Sequence, residues 1–382
     1  MTITTYRPEK MFDGEAFYLQ PFISVKDGVI IDIQTQGANH LGPIIELDGV
    51  LVPGFIDVQV NGGGGVLFNN APQPESLLQM IKAHSRYGTT ALLATLITDD
   101  ISVMQAAADA VAYARKKQFP GILGIHFEGP HLSVAKKGVH PANLIRPIST
   151  AEWQLFERTD LGIKKITVAP ENICPRDILK LTELGWVVSL GHSNATAEQV
   201  NAALAAGATG FTHLFNAMSP LTSREPGMVG AALEAEAAYC GIILDNHHVH
   251  RQSARLAWKL KGSAKLALVT DAMALVGSHQ NSFELFSETI TRQEDKLTTY
   301  TGQLAGSHLS MAQALNNAVN QFGIPFADAL IMLSRTPAAW LKQSDYLGQI
   351  KIGRQADWVL LDKELNVRQT FIKNQPVEKL FT

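Results

Sequence analysis

Two short apolar runs, Trp186–Leu190 and Thr209–Thr212, each lead into a histidine, His192 and His213, and a helical segment from Thr196 to Ala206 separates them. That is a strand, helix, strand unit with imidazoles at equivalent strand ends. In a parallel barrel or doubly wound sheet the carboxyl ends of successive strands open onto one face, where active sites sit. The two side chains should therefore converge. Either histidine alone reads as a hydrogen-bonded core residue. The pair, at the same strand position, reads as metal ligation, because neutral imidazole is the commonest nitrogen ligand.

The same alternation runs through the middle of the chain. Strand candidates fall at Phe55–Val60, Thr90–Ile97, Ile122–Phe127, Lys165–Val168, Trp186–Leu190, Thr209–Thr212, Tyr239–Leu244 and Leu266–Thr270. Helical patterns such as Pro74–Tyr87, Ile101–Lys117, Arg176–Leu184 and Arg251–Leu260 lie between them. This predicts an α/β fold, a (β/α)8 TIM-like barrel, with a doubly wound sheet as the alternative. At 382 residues the chain exceeds the roughly 250 residues of a single barrel, so a second, smaller unit is expected. Residues 17–52 and the end of the chain supply it: both are short strands punctuated by Gly, Asp and Asn. The reading is a small β-sandwich domain built from both termini, residues 1–53 and 342–382, around a hydrolase barrel spanning 54–341. Residues 278–303 break the barrel pattern and suggest a hairpin inserted after strand eight.

A net charge of −3 without Lys/Arg runs leaves no electrostatic footprint for nucleic acid. No apolar run approaches membrane-spanning length, and the start of the chain lacks a basic region followed by an apolar one. With only Cys174 and Cys240, a disulfide framework is excluded, and a reducing cytoplasm is the expected location.

Chemistry-bearing residues accumulate where the strands end. Strand three ends in His126-Phe127-Glu128-Gly129-Pro130-His131, strand seven in Asp245-Asn246-His247-His248, and strand eight in Asp271. Glu128, His192 and His213 make a set of two nitrogens and one carboxylate that leaves a coordination position for water, suited to one divalent ion, zinc or ferrous iron. Asp271 is placed across the mouth as general acid/base. Glu128 and Asp271 also have a plainer reading, as caps of the turns that follow them. Arg224, before a helix start, offers a bidentate grip on phosphate or a surface pair with Glu225. His140 and His248 are further donors. The run Asn61-Gly-Gly-Gly-Gly65 lacks the spacing of a nucleotide loop and reads as thin backbone that a ligand can approach.

Together, Val52-Pro-Gly-Phe-Ile-Asp57, His126-Phe-Glu-Gly-Pro130, Gly191-His-Ser-Asn-Ala195, Thr212-His-Leu-Phe-Asn-Ala-Met218, Arg224-Glu-Pro-Gly227, Val269-Thr-Asp-Ala272 and Leu304-Ala-Gly-Ser307 resemble the N-acetylglucosamine-6-phosphate deacetylases of the amidohydrolase superfamily. The resemblance spans nearly the whole chain. It implies hydrolysis of the acetamide of N-acetyl-D-glucosamine 6-phosphate to D-glucosamine 6-phosphate and acetate, in cytoplasmic amino-sugar metabolism. Position by position, it implies Glu128, His192 and His213 as metal ligands and Asp271 as catalytic acid/base; in the mechanism these roles suggest, His140 is expected to stabilise the oxyanion. Val139, His140, Asn216, Ala217, Arg224, His248, Leu304, Ala305 and Gly306 match substrate contacts. It further implies a homodimer in which Arg224 reaches the neighbouring subunit's phosphate.

One departure matters. Many amidohydrolases carry His-x-His at the end of strand one, where this chain has Gln59-Val60-Asn61. Neutral amides are poor transition-metal ligands, so a single tightly held ion is expected. Two rivals stand beside this reading: a metal-dependent amidohydrolase acting on a cyclic amide or a base, and a non-catalytic sugar-phosphate sensor on a dead barrel.

Overall fold

The computed structural model describes residues 3–36 and 40–381. Its centre is a ring of eight parallel strands, Phe55–Val60, Thr89–Ile97, Ile122–Glu128, Ile163–Val168, Trp186–Leu190, Gly210–Phe211, Tyr239–Ile242 and Leu266–Leu268, hydrogen-bonded in chain order. All eight coincide with the runs read from the sequence. The last three are shorter, because the chain turns out of the ladder before its functional residues: His213 and Asp271 have φ of 34° and 52°. Strand eight meets strand one towards the mouth, where Asp271 N–H donates to Gln59 O at 3.1 Å and Asn61 N–H to Ala272 O at 2.9 Å. The helices Phe326–Leu333 and Arg335–Trp340 pack against both strands of this seam.

Helices cover the outer face of the ring for the usual reason, a buried stripe at helical spacing. In Pro74–Ser85 the buried Leu77, Met80, Ile81 and His84 follow i, i+3, i+4, i+7, and the proline occupies the first turn, where its missing N–H costs nothing. The helix Ala197–Ala205, between the two histidine-bearing strands, begins with a capping box. Thr196 accepts from Gln199 N–H while the Gln199 side chain accepts from Thr196 N–H. Such a cap contributes about 1 kcal/mol and sets where the helix starts. The core is continuous from Phe55 through Leu92, Phe127 and Trp186 to Phe211.

Inside the ring the fill is not only aliphatic. Below the mouth, His126 Nδ1 meets Thr95 Oγ1 at 3.1 Å and His126 Nε2 meets Thr167 Oγ1 at 2.8 Å. Thr167 continues to Thr212 at 2.7 Å, and Thr212 donates to Ser189 at 2.8 Å. Lys165 Nζ donates to His126 Nε2 at 3.3 Å and lies 5.0 Å from the Trp340 ring centroid. Burial pushes the Lys165 amine down to about 7 and the Asp57 carboxyl up to about 7.

The chain ends build one sheet. Its order runs Gln375–Pro376, Val367–Ile372, Trp358–Leu361, Ile44–Pro53, Ile3–Phe12, Phe22–Lys26 and Val29–Gln34, with Phe17–Leu19 added on Ile3–Phe12. The two faces expected of a sandwich are parts of this single hydrogen-bonded sheet. It curls until Val29 bridges Gln355, around a core of Tyr6, Ile23, Leu51, Trp358 and Phe371. Trp358 pairs with Pro53, two residues before the first barrel strand. The insertion after strand eight has three strands, not the two of a hairpin: Ser282–Leu285, Glu288–Gln293 and Lys296–Thr298. It encloses Phe283, Leu285, Ile290 and Leu297.

Candidate active site

At the carboxyl ends of the strands lies a cavity of about 410 Å³. Glu128, His192 and His213 meet on its floor. Both imidazole Nε2 atoms lie near Glu128 Oε1, at 3.2 Å for His192 and 3.0 Å for His213, and 3.0 Å from each other. His192 Nδ1 donates to the Lys136 carbonyl at 2.9 Å. A carbonyl can only accept, so this bond puts the neutral ring's proton on Nδ1 and aims the Nε2 lone pair at the site. Two imidazole nitrogens and a carboxylate oxygen facing one another need positive charge among them. The edges of a tetrahedron with bonds of about 2.0–2.1 Å measure about 3.3 Å, close to the separations found. The three side chains therefore fit a divalent metal ion. His140 stands beside them, a ring nitrogen within 4.8 Å of the ligand atoms of Glu128 and His192.

The electrostatics follow from this crowding. Burial works to raise the Glu128 carboxyl, but the His192 and His213 imidazoles crowded against it outweigh burial and hold the group well below the usual carboxylate range. Asp271 goes the other way. Burial first, and the Glu128 charge second, push it up to about 6. Gln59 Nε2 donates to both Glu128 oxygens and to Asp271 Oδ1, each at 3.1 Å, and Asn61 Nδ2 donates to Asp271 Oδ1 at 2.7 Å. The strand-one amides thus bridge the two carboxylates as hydrogen-bond donors. Both bonds to Asp271 go to Oδ1, which leaves Oδ2 for proton transfer.

The backbone that delivers these groups is unusual. His192, His213, Ala217 and Asp271 all have positive φ, between 34° and 52°. Each costs of order 1–3 kcal/mol for a residue with a Cβ, and such residues cluster where a site must be aimed. His192 is held there by Ser133 N–H donating to its carbonyl at 2.9 Å, and Leu214 N–H donates to Gly241 O at 2.7 Å just after His213.

On the wall, His140 is buried and neutral: burial first, with the adjacent His192 imidazole second, keeps its imidazole well below the ordinary range. Its Nδ1 accepts from Thr98 N–H at 3.3 Å, so the ring proton sits on Nε2 and can be donated to a ligand. His248 Nδ1 pairs with Asp245 Oδ2 at 2.6 Å, while Asp245 Oδ1 accepts from the backbone N–H groups of His247 and His248. Val139, Asn216, Ala217, Leu304 and Gly306 also line the cavity. Ala305 is buried in the core of the insertion instead. Arg224 is exposed, outside the cavity of its own chain, and makes no ion pair among the described residues. The suggested partner Glu225 is engaged elsewhere, accepting from Ala197 N–H and Gly227 N–H at 2.9 Å each. Lys136, Met273 and Gln303 line the wall without having been read from the sequence. Only their position after strand three, strand eight and the insertion hinted at them.

Residues 50–380 match the Amidohydrolase family. The chain is 52% identical over 357 residues to an N-acetylgalactosamine-6-phosphate deacetylase of a Shewanella strain, covering 92% of this chain and 90% of that protein. It is 37% identical over 365 residues to an N-acetylglucosamine-6-phosphate deacetylase of Haemophilus influenzae, covering 94% and 95%. The crystal structure of N-acetylglucosamine-6-phosphate deacetylase from Pasteurella multocida superimposes with a TM-score of 0.94 at 35% identity, over 98% of this chain and 99% of that one. A parallel barrel with its buried carboxylate and imidazoles at the strand ends, and likeness of this extent from end to end, have one reading: the chain belongs to the amidohydrolase family.

Proposed function

We propose that the protein is a metal-dependent deacetylase that hydrolyses the acetamide of N-acetyl-D-glucosamine 6-phosphate to D-glucosamine 6-phosphate and acetate. The observation that carries this reading is the convergence of Glu128, His192 and His213 beside Asp271 on the floor of a cavity sized for one sugar. Glu128, His192 and His213 would hold one divalent ion, zinc or ferrous iron. When bound, that ion supplies Lewis acidity toward the amide carbonyl and water. Asp271 accepts the proton of the attacking water through Oδ2 and returns it to the departing amine. His140 donates its Nε2 proton to the oxygen that becomes negative in the tetrahedral intermediate. Asn216, Ala217 and His248 hold the phosphate end from the opposite wall, so that remote binding orients the amide.

Arg224, exposed beside the strand-six loop, is assigned to the phosphate of a neighbouring subunit, which makes the working enzyme a homodimer. A cytoplasmic setting is supported by two free cysteines, and no helix among the described residues is long and apolar enough to cross a membrane. The 52% identity to a protein named for the galactosamine epimer supports a second reading, the same reaction on N-acetylgalactosamine 6-phosphate. Acetate release from both sugars, with and without chelator, tests the proposal. Release that stops with chelator and returns with zinc or iron is expected. No acetate from either sugar by the metal-loaded protein would overturn it.

A further inference from the structure

The two readings of the substrate differ only in the direction of one hydroxyl, at C4 of the sugar. Most polar side chains on the cavity wall keep at least one bond inside the protein while presenting a second atom to the ligand. Asn61 donates to Asp271, His140 pairs with Thr98, Asn216 donates to the His213 carbonyl and His248 pairs with Asp245. The exceptions are Lys136 and Gln303, whose side chains make no hydrogen bond to the described residues. Lys136 can only donate. Gln303 carries a neutral amide that can donate and accept at one hydroxyl.

Gln303 is also set in place. Its N–H donates to Thr299 Oγ1 at 3.3 Å and its carbonyl accepts from Thr299 N–H at 2.9 Å. Thr298 bridges Leu304, and Ala305 N–H donates to Leu297 O at 3.2 Å. The backbone of Gln303 is therefore used up on Thr299, just past the last strand of the insertion, and only the side-chain amide is left to meet a ligand. The ring geometry narrows what it meets. With the C2 acetamide on the floor and the C6 phosphate at Asn216 and His248, the remaining ring edges are C1 with the ring oxygen, and C3 with C4. The C1 hydroxyl interconverts between two configurations in water, so a fixed contact there would reject part of the substrate. The C3 and C4 hydroxyls keep their configuration, and of the two only C4 differs between the epimers.

Resting on the deacetylase reading above, we propose that Gln303, delivered by the three-stranded insertion, hydrogen-bonds the C4 hydroxyl and sets the preference between the two N-acetylhexosamine 6-phosphates. An axial and an equatorial hydroxyl leave the same carbon in different directions, and an amide anchored at its backbone reaches one of them. One hydrogen bond at a solvent-accessible rim is worth a factor of about 3 to 10.

The test is kcat/KM for both epimers with the metal-loaded wild type, Gln303→Leu and Gln303→Ala. The expected result is a preference ratio that falls about 3- to 10-fold in both variants, expressed in KM more than in kcat, with metal content and Tm unchanged. Gln303→Asn, which keeps an amide on a shorter stem, should restore part of the ratio. A ratio unchanged in Gln303→Leu, or equal losses for both epimers, overturns the proposal. Failure of the wild type to release acetate from either sugar overturns the deacetylase reading instead, so the two failures are told apart.

Discussion

Asp271 is raised to about 6 by burial and by the charge of Glu128, yet its proposed role needs the ionised carboxylate. Below its pKa the base is protonated, so kcat/KM should fall about tenfold per pH unit on the acid limb and level off above it; a divalent ion held by Glu128 offsets the charge that raises Asp271, so the break in the metal-loaded enzyme should lie below about 6, as a pH–rate profile would record. Asp271→Asn should cost about 10²- to 10⁴-fold in kcat while metal content stays at the wild-type value. An active, metal-replete variant would remove Asp271 from the mechanism. Gln59 and Asn61 bond to Glu128 and Asp271 where a second cation could stand. The double substitution Gln59→His, Asn61→His replaces two donors by two metal ligands and should raise bound metal from one towards two ions per chain. Lys165 tests the barrel interior. Its folded pKa is about 7 and its unfolded value about 10.4, so between these the unfolded chain binds more protons and stability rises with pH. Lys165→Met should therefore raise stability by about 1–3 kcal/mol at pH 7, a gain that shrinks towards pH 10 in pH-dependent thermal melts.

Elements place these residues, and the strand ladder tolerates little change. Gly124, at a register shift between strands two and three, leaves no room for a side chain: a Cβ would lie 2.0 Å from the Ile163 carbonyl oxygen. Gly124→Ala should cost about 1–3 kcal/mol or more in denaturant melts, and because strand three ends in Glu128 it should also weaken metal binding. The elements legible in the sequence were those with a long period, namely the barrel strands and helices such as Pro74–Ser85. Those missed are short or lack a clear period. The third insertion strand, Lys296–Thr298, has three residues, and Thr150–Phe156 and Arg335–Trp340 span two turns or fewer. So few residues carry no detectable period, and packing alone makes them regular.

For the molecule as a whole, the proposed metal site ties distant parts of the chain together: Glu128, His192 and His213 come from three strands, and Asp271 closes the ring against Gln59. An ion bound there stabilises only the folded state, by about 2.7 kcal/mol at a hundredfold excess over Kd. Chelation should lower Tm by a few degrees and metal return should restore it, followed by calorimetry. A melt indifferent to chelator would argue against a closed metal site. What the sequence determined by itself was periodic and local: eight apolar runs alternating with helices, paired β-rich ends, and polar residues stationed just past the strands. Those features survive in one dimension because burial on both faces, helical period and strand-end position are written residue by residue. What only the tertiary structure decided depends on distance and direction. It curled both termini into a single sheet, turned Gln59 and Asn61 into donors for two carboxylates, left Arg224 outside its own cavity, and put the Gln303 amide on the wall. No spacing encodes these, because they arise where residues hundreds of positions apart are pressed into the same few ångströms.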